Sequence, residues 1–156
     1  PRIEGLINKA DIIYVGGGNT KSMLAVWKEW KLDKLLFKAY NEGTVLAGVS
    51  AGAICWFDTG ITDSWASNLN YIDCLGILPG SCCPHYDSEK DRKPSVQKFI
   101  EHEKIKSVYA IEDGAAIHFV DDAPYKNISF FKNSKVFFVD KQNSIVQEKP
   151  QKMVSI

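Results

Sequence analysis

The segment Gly48-Val49-Ser50-Ala51-Gly52 places a serine between small residues, with an apolar run on either side. This pattern predicts a buried strand that turns sharply into a helix, so that the hydroxyl group of Ser50 is exposed at the bend. The N–H group of Ala51 then opens the helix and points to where an oxyanion can form. The pattern indicates a nucleophilic serine, and a merely tight turn of small residues is the alternative.

A serine nucleophile needs an adjacent base, and the chain contains three histidines. His85 follows a short predicted strand, and working residues gather at the carboxyl ends of strands in an open parallel sheet. His102 lies in a charged stretch and is predicted to be solvated. His118 lies inside a predicted strand, which is typical of a partly buried structural histidine. We therefore predict His85 as the base.

A third catalytic residue should orient the imidazole through its other nitrogen. Glu112 follows the predicted strand 108–111, again at a carboxyl end, and Asp113 is its neighbour in the sequence. Asp63 lies in the loop after the Ser50 helix and is the second candidate. Acids in loops are usually caps or turn residues, so position alone favours Glu112.

A glycine loop at residues 16–18 follows a short β-branched strand. It lacks the G-x-G-x-x-G spacing of dinucleotide-binding loops and the Gly-Lys-Ser/Thr of a P-loop, so phosphate binding is disfavoured. A loop that supplies a second N–H group to the oxyanion fits the serine elbow better. We predict that Gly17 or Gly18 supplies it, beside the N–H group of Ala51.

Strands and helices are predicted to alternate along the first half of the chain, which favours an α/β fold with a mostly parallel sheet flanked by helices. Helices are predicted over about 20–30, 32–41 and 88–106, and residues 58–80 are predicted to be loop-like. The tail alternates apolar and polar residues around an Asn133-Ser134 turn. This alternation predicts a C-terminal hairpin or meander at a sheet edge.

The composition argues against several classes of protein. The 156 residues suffice for one domain, and 19 basic residues balance 19 acidic ones, so nucleic acid is an unexpected partner. No apolar stretch reaches the roughly 18 residues of a membrane span, so we expect no membrane partner. Four cysteines without C-x-x-C spacing predict free thiols in a cytoplasmic protein. We expect neither a metal nor a cofactor.

Four motifs in chain order resemble peptidase E, the aspartyl dipeptidase family, whose relatives include cyanophycinases: GGGNT (16–20), GVSAGA (48–53), PHYDSE (84–89) and IEDGAA (111–116). The resemblance covers about residues 8–120. It implies a flavodoxin-like or class I glutamine amidotransferase-like α/β fold. It also implies Ser50 as nucleophile, His85 as base and Glu112 as the third member of the triad. Asp63 falls where peptidase E has an aspartate also tied to activity.

The resemblance further implies short peptide substrates with an N-terminal aspartate, whose carboxylate an arginine holds. Arg92 is the arginine nearest to that place, and a guanidinium suits a carboxylate through two hydrogen bonds. The alternative is a surface helix arginine paired with Glu89 or Asp91. The family usually has at least one further βα unit before the GGGNT strand. We therefore expect residues 1–156 to form one domain lacking that unit, and pairing in a homodimer is one way to cover the exposed edge.

The sequence thus predicts a serine peptidase that acts on short acidic peptides through an acyl-enzyme. An α/β-hydrolase esterase is the first alternative, and its order of serine, acid and histidine would require Asp63 or Asp73 with His102 or His118. A non-catalytic binding relative is the second alternative.

Overall fold

The structure is a computed structural model that describes residues 2–131 and 133–156. Five helices lie in this part of the chain: α1 (Arg2–Ile7), α2 (Thr20–Glu29), α3 (Leu32–Asn41), α4 (Ala51–Ile54) and α5 (Arg92–Glu101). Its strands are β1 (Ile12–Val15), β2 (Val45–Gly48), β3 (Phe57–Thr62), β4 (Asn70–Asp73), β5 (Leu78–Cys83), β6 (Ser107–Ile111), β7 (Ala115–Val120), β8 (Ala123–Ser129), β9 (Val136–Gln142), β10 (Ile145–Pro150) and β11 (Met153–Ser155).

The strands are arranged in mixed sheets. The parallel pair β1–β2 stands apart from a six-stranded sheet of order β10-β9-β6-β5-β3-β4 and from a three-stranded sheet of order β11-β8-β7. In the six-stranded sheet, β5 is parallel to both β3 and β6, whereas β4, β9 and β10 are antiparallel to their neighbours. The α/β class is confirmed, but the sheets are mixed rather than mostly parallel. Short connections account for the antiparallel pairs β3–β4 and β9–β10, because a short link can join only antiparallel neighbours.

The C-terminal tail contains a hairpin at a different turn from the predicted one. Strands β9 and β10 pair antiparallel at the edge of the large sheet, and Asn143 and Ser144 between them have positive φ values of 50° and 65°. Such φ values are typical of the type I′ turns that join tight hairpins. The Asn133-Ser134 segment instead connects β8 in the three-stranded sheet to β9 in the six-stranded sheet.

Residues 58–80 carry more regular structure than the sequence pattern indicated. Strand β3 begins before this segment and pairs with both β4 and β5, with Gly60 opposite Ile72 on one side and Cys82 on the other. Gly60 is required there, because a Cβ atom on it would lie 2.8 Å from the side chain of Ile54. A glycine that close packing requires inside a strand can therefore be mistaken for a turn residue in the sequence.

Two hydrophobic clusters form the core. One lies between α5 and the large sheet and includes Val96, Ile100 and Val108, all at most 1% exposed. The other lies beneath the serine elbow, where Ile54 and Phe57 pack with Leu36 of α3. The elements that flank Ser50 are anchored in this cluster, α4 by the buried Ile54 and β2 by the partly buried Leu46, which restricts their movement.

Candidate active site

Ser50 occupies a strained bend between β2 and α4. Its backbone has φ 55° and ψ −119°, a region that non-glycine residues rarely adopt. The N–H group of Val49 donates to the carbonyl oxygen of Val15 at 3.1 Å, so the neighbouring strand β1 fixes the approach to the bend. This strand–turn–helix conformation is the nucleophile elbow that the G-x-S-x-G motif predicts.

The two glycines of the motif let α4 lie directly on the strands. A Cβ atom on Gly48 would lie 2.0 Å from the carbonyl oxygen of Gly52, and one on Gly52 would lie 2.1 Å from that of Val15. Both contacts are with backbone, which cannot swing away as a long side chain can. Any larger residue at either position must displace the helix that begins beside Ser50.

His85 reaches Ser50 from the end of β5. Its Nε2 atom lies 2.9 Å from the Oγ atom of Ser50, which is hydrogen-bond distance. The backbone of His85 has a positive φ of 55°, and the following residue, Tyr86, donates its N–H group to the carbonyl oxygen of Ile111 at 3.1 Å. The structure thus brings the predicted nucleophile and base together.

The acid beside His85 is Asp113 and not Glu112. The Oδ1 atom of Asp113 lies 2.7 Å from Nδ1 of His85. The carboxylate of Glu112 instead accepts the N–H group of Lys135 at 2.7 Å, and the N–H group of Glu112 donates to the carbonyl oxygen of Lys135. Glu112 thus extends the pairing of β6 with the chain before β9, so its side chain is held against that backbone. Asp113 is the first residue to turn away from the strand.

Hydrogen bonds favour the ionised form of Asp113. A hydrogen bond with the Ser88 side chain is the largest influence, and together with the hydrogen bond and charge of His85 it holds the pKa of Asp113 below its ordinary value. Partial burial opposes this shift, because it disfavours the charged form. An ionised Asp113 can accept a hydrogen bond from Nδ1–H of His85, which leaves Nε2 free to accept a proton from Ser50.

The glycine loop after β1 lies against Ser50. A Cβ atom on Gly17 would lie 3.3 Å from the Cβ atom of Ser50, whereas one on Gly18 would meet nothing within 4 Å. Ala51 is buried at the first position of α4, where a helix N–H group has no acceptor within its own helix. The loop and the start of α4 therefore border the Ser50 hydroxyl from two sides.

Asp63 and Arg92 lie outside this arrangement. Asp63 is exposed in the loop after β3, and both ring nitrogens of His85 are engaged by other residues. Arg92 is only 4% exposed, and its guanidinium donates to the Glu89 carboxylate and to the carbonyl oxygen of Ile61, both at 2.7 Å. Arg92 thus has the predicted partner Glu89, but it lies in the interior and not on a helix surface.

Within the described residues, neither of the two remaining histidines is hydrogen-bonded to Ser50. His102 is exposed at the C-terminal end of α5. His118 is also exposed, so the prediction of a partly buried residue is wrong, and its ring packs edge-on against Tyr125 with 5.4 Å between centroids. The esterase alternative required one of these histidines as the base, and the observed bonds of His85 do not support it.

Ser50, His85 and Asp113 border a cleft of about 960 Å³. Strands β2 and β7 form two of its walls, and Trp56 and Phe57 contribute to its apolar lining. Among the described residues that line it there is no lysine or arginine. Its size admits a ligand as large as a short peptide.

The motif that builds the elbow belongs to a known family. The family model of peptidase family S51 matches residues 1–125. The chain belongs to peptidase family S51. The match covers four-fifths of the chain, and this range includes Ser50, His85 and Asp113.

Individual S51 relatives agree with this assignment. The chain is 47% identical over 137 residues to the uncharacterized peptidase YgaJ of Bacillus subtilis (strain 168), covering 88% of this chain and 59% of YgaJ. It is 31% identical over 122 residues to peptidase E of Pasteurella multocida (strain Pm70), covering 72% of this chain and 52% of that protein. The S51 chain thus spans between half and three-fifths of the length of these two relatives.

A solved structure supports the S51 fold. The crystal structure of a candidate peptidase E from Listeria monocytogenes EGD-e superposes with a TM-score of 0.56, covering 97% of this chain and 65% of that one at 23% identity. In residues 2–131 and 133–156, no helix is both long and apolar enough to cross a membrane. Within the same ranges, no group of three or more His, Cys, Asp or Glu side chains is placed to hold a metal ion.

Proposed function

We propose that this S51 chain is a serine peptidase in which Ser50 is the nucleophile, His85 the general base and Asp113 the residue that orients His85. The observation that carries the proposal is the unbroken row of hydrogen bonds, 2.9 Å from Ser50 to His85 and 2.7 Å from His85 to Asp113. A row of this kind activates a hydroxyl group that is otherwise a weak nucleophile.

In the proposed reaction, Nε2 of His85 takes the proton of Ser50 while Oγ forms a bond to the carbonyl carbon of the substrate. The N–H groups of Gly17 or Gly18 and of Ala51 stabilise the resulting oxyanion; the approach of Gly17 to Ser50 and the place of Ala51 at the start of α4 support that role. His85 then gives its proton to the leaving amine as the C–N bond breaks. Water attacks the acyl-enzyme with His85 again as base, which frees Ser50 and the carboxylic acid.

The proposed substrates are short peptides, specifically dipeptides with an N-terminal aspartate. The support is the name peptidase E carried by several relatives and a cleft large enough for such a peptide. Because Arg92 is buried and already bonded, and because no lysine or arginine lines the described cleft, we assign no residue to the aspartate side chain. A panel of Asp-X, Glu-X, Lys-X and Ala-X dipeptides tests the preference, and equal kcat/KM across the panel would refute it.

Two adjacent acids provide a sharp test of the triad. Asp113→Asn should lower kcat by about 10³-fold or more, because the amide group no longer holds the productive tautomer of His85. Glu112→Gln should leave kcat within about threefold, because the amide oxygen still accepts the N–H group of Lys135. Hydrolysis of Asp-X dipeptides and labelling of Ser50 by a fluorophosphonate measure both variants.

The control is Ser50→Ala, which should abolish hydrolysis and labelling without unfolding the protein. Full activity in Ser50→Ala would eliminate the serine mechanism. If Glu112→Gln is inactive and Asp113→Asn is active, Glu112 and not Asp113 orients His85, and the proposed triad is wrong.

A further inference from the structure

We propose that Asp87 is a positioning residue that holds Asp113 against His85. The Oδ1 atom of Asp87 accepts the backbone N–H group of Asp113 at 2.9 Å. Within the described residues, the Asp87 side chain has no hydrogen bond to Ser50 or to the imidazole of His85, so it acts through Asp113. The kinetic part of this inference rests on the proposed function, whereas the structural part does not.

The turn that carries Asp113 follows β6 and is closed by a hydrogen bond from the N–H group of Ala115 to the carbonyl oxygen of Glu112 at 3.0 Å. Asp113 itself lies beyond the backbone pairing, which ends with the bond between Glu112 and Lys135. Two contacts replace the ladder on its far side: the hydroxyl group of Ser134 donates to the carbonyl oxygen of Asp113 at 2.8 Å, and the carboxylate of Glu112 accepts the N–H group of Lys135. Asp87 supplies the contact on the side that faces His85.

The segment that contains His85 therefore also contacts Asp113. His85 and Asp87 are two residues apart, and the carbonyl oxygen of His85 accepts the N–H group of Glu89 at 3.1 Å, which closes the segment into a compact turn. The next residue, Ser88, lies close enough to the Asp113 carboxylate to help lower its pKa. One short turn thus contains the base and contacts the acid.

Positioning matters more here than stability. Asp87 is exposed, and one hydrogen bond at the surface adds little to the folding free energy. Loss of alignment by about 1 Å can nevertheless cost about 10²-fold in rate. Removal of the Asp87 carboxylate should consequently lower kcat by about 10- to 100-fold, with KM and the unfolding midpoint close to those of the unaltered protein.

Three variants separate positioning from a general effect of charge. Asp87→Ala removes the acceptor and should show the full loss of kcat. Asp87→Asn keeps an oxygen that can accept the N–H group of Asp113 and should recover kcat to within about threefold. Asp91→Ala is the matched control, because Asp91 is an exposed acid of the same loop whose side chain makes no cap hydrogen bond; it should behave like the unaltered protein.

A spectroscopic measurement tests the inference without turnover. The Nδ1–H proton of His85, bonded to Asp113, should give a low-field proton resonance that disappears in Asp113→Asn. Asp87→Ala should shift or broaden this resonance, and Asp87→Asn should restore it. An unchanged resonance with unchanged kcat in folded Asp87→Ala would overturn the inference, as would a loss of kcat that only follows a loss of folded protein. If the unaltered protein shows the resonance but hydrolyses no peptide, the proposed function fails and the resonance series still decides the role of Asp87.

Discussion

Replacing Gly52 with alanine tests whether close packing of α4 creates the elbow. The new Cβ atom would lie 2.1 Å from the carbonyl oxygen of Val15, 2.5 Å from its carbonyl carbon and 2.7 Å from the carbonyl oxygen of Gly16. All three atoms belong to the backbone of β1 and of the glycine loop. Lengthening the 2.1 Å contact to an ordinary one of 3.4 Å or more therefore requires α4 and β1 to separate by more than about 1 Å.

The cost of this separation has two parts. Overpacking of a close-packed interior costs about 1–3 kcal/mol, and we expect the upper end because neither side of the contact is a flexible side chain. The same shift moves Ser50 relative to His85, whose hydrogen bond is 2.9 Å long in the folded protein. Displacement of a reacting group by about 1 Å costs about 10²-fold in rate.

Gly52→Ala should therefore lower the urea midpoint of unfolding by an amount that corresponds to about 3 kcal/mol, and it should slow fluorophosphonate labelling of Ser50 by about 10²-fold. Gly5→Ala is the matched control: a Cβ atom on Gly5 would meet nothing within 4 Å, and Gly5 lies inside α1. The same substitution there should stabilise by about 0.5–1 kcal/mol. If Gly52→Ala keeps the unaltered midpoint and labelling rate, contact with β1 does not create the elbow.

Two further predictions concern residues away from the row of hydrogen bonds. A hydrogen bond with Asp122, helped by burial, raises the pKa of Tyr40 from 10.0 to about 12. The contribution of this bond to the free energy of unfolding is therefore complete below about pH 10 and is lost as the pH rises toward 12. Unfolding measured across this window should show a pH dependence that Tyr40→Phe removes. Arg92→Met should destabilise the fold by about 2–3 kcal/mol, because the buried carbonyl oxygen of Ile61 loses its charged donor. Urea unfolding with Glu89→Gln as control measures this loss, and a stable Arg92→Met protein with a raised KM would instead indicate substrate binding.

Helices α2 and α3 were the more predictable part of the fold, whereas α5 spans only Arg92–Glu101 of the predicted 88–106. The bounds of α3, residues 32–41, match the prediction because its apolar residues follow a helical period up to a terminal glycine. Helix α2 begins at Thr20, as predicted, and its cap is the preceding residue: the side chain of Asn19 accepts the N–H group of Ser22 at 2.8 Å. Thr20 is instead buried with its hydroxyl near that of Thr62, a tertiary contact that no local pattern encodes.

The sheets were less predictable, because the same dipeptide occurs in two settings. Asn133-Ser134 and Asn143-Ser144 both follow alternating apolar residues, and both asparagines have positive φ. Only the second pair joins two strands that hydrogen-bond to each other. The first pair carries the chain from one sheet to another, and its serine donates to the backbone of Asp113. Local turn chemistry thus predicts where the chain bends but not which strands become neighbours.

Whether Glu112 or Asp113 lies beside His85 depends on where the pairing between β6 and β9 ends. The pairing of β6 with β9 includes Ile111 opposite Val136, and the bonds between Glu112 and Lys135 extend it by one residue. Had the pairing ended at Ile111, Glu112 would have been the first residue free to turn toward His85, which is what position alone suggested. Because side chains alternate between the two faces of a strand, one further residue of pairing exchanges the roles of two adjacent acids. The elbow and the base could be predicted from local motifs, whereas the acid is selected by a contact with a segment more than 20 residues away in the sequence.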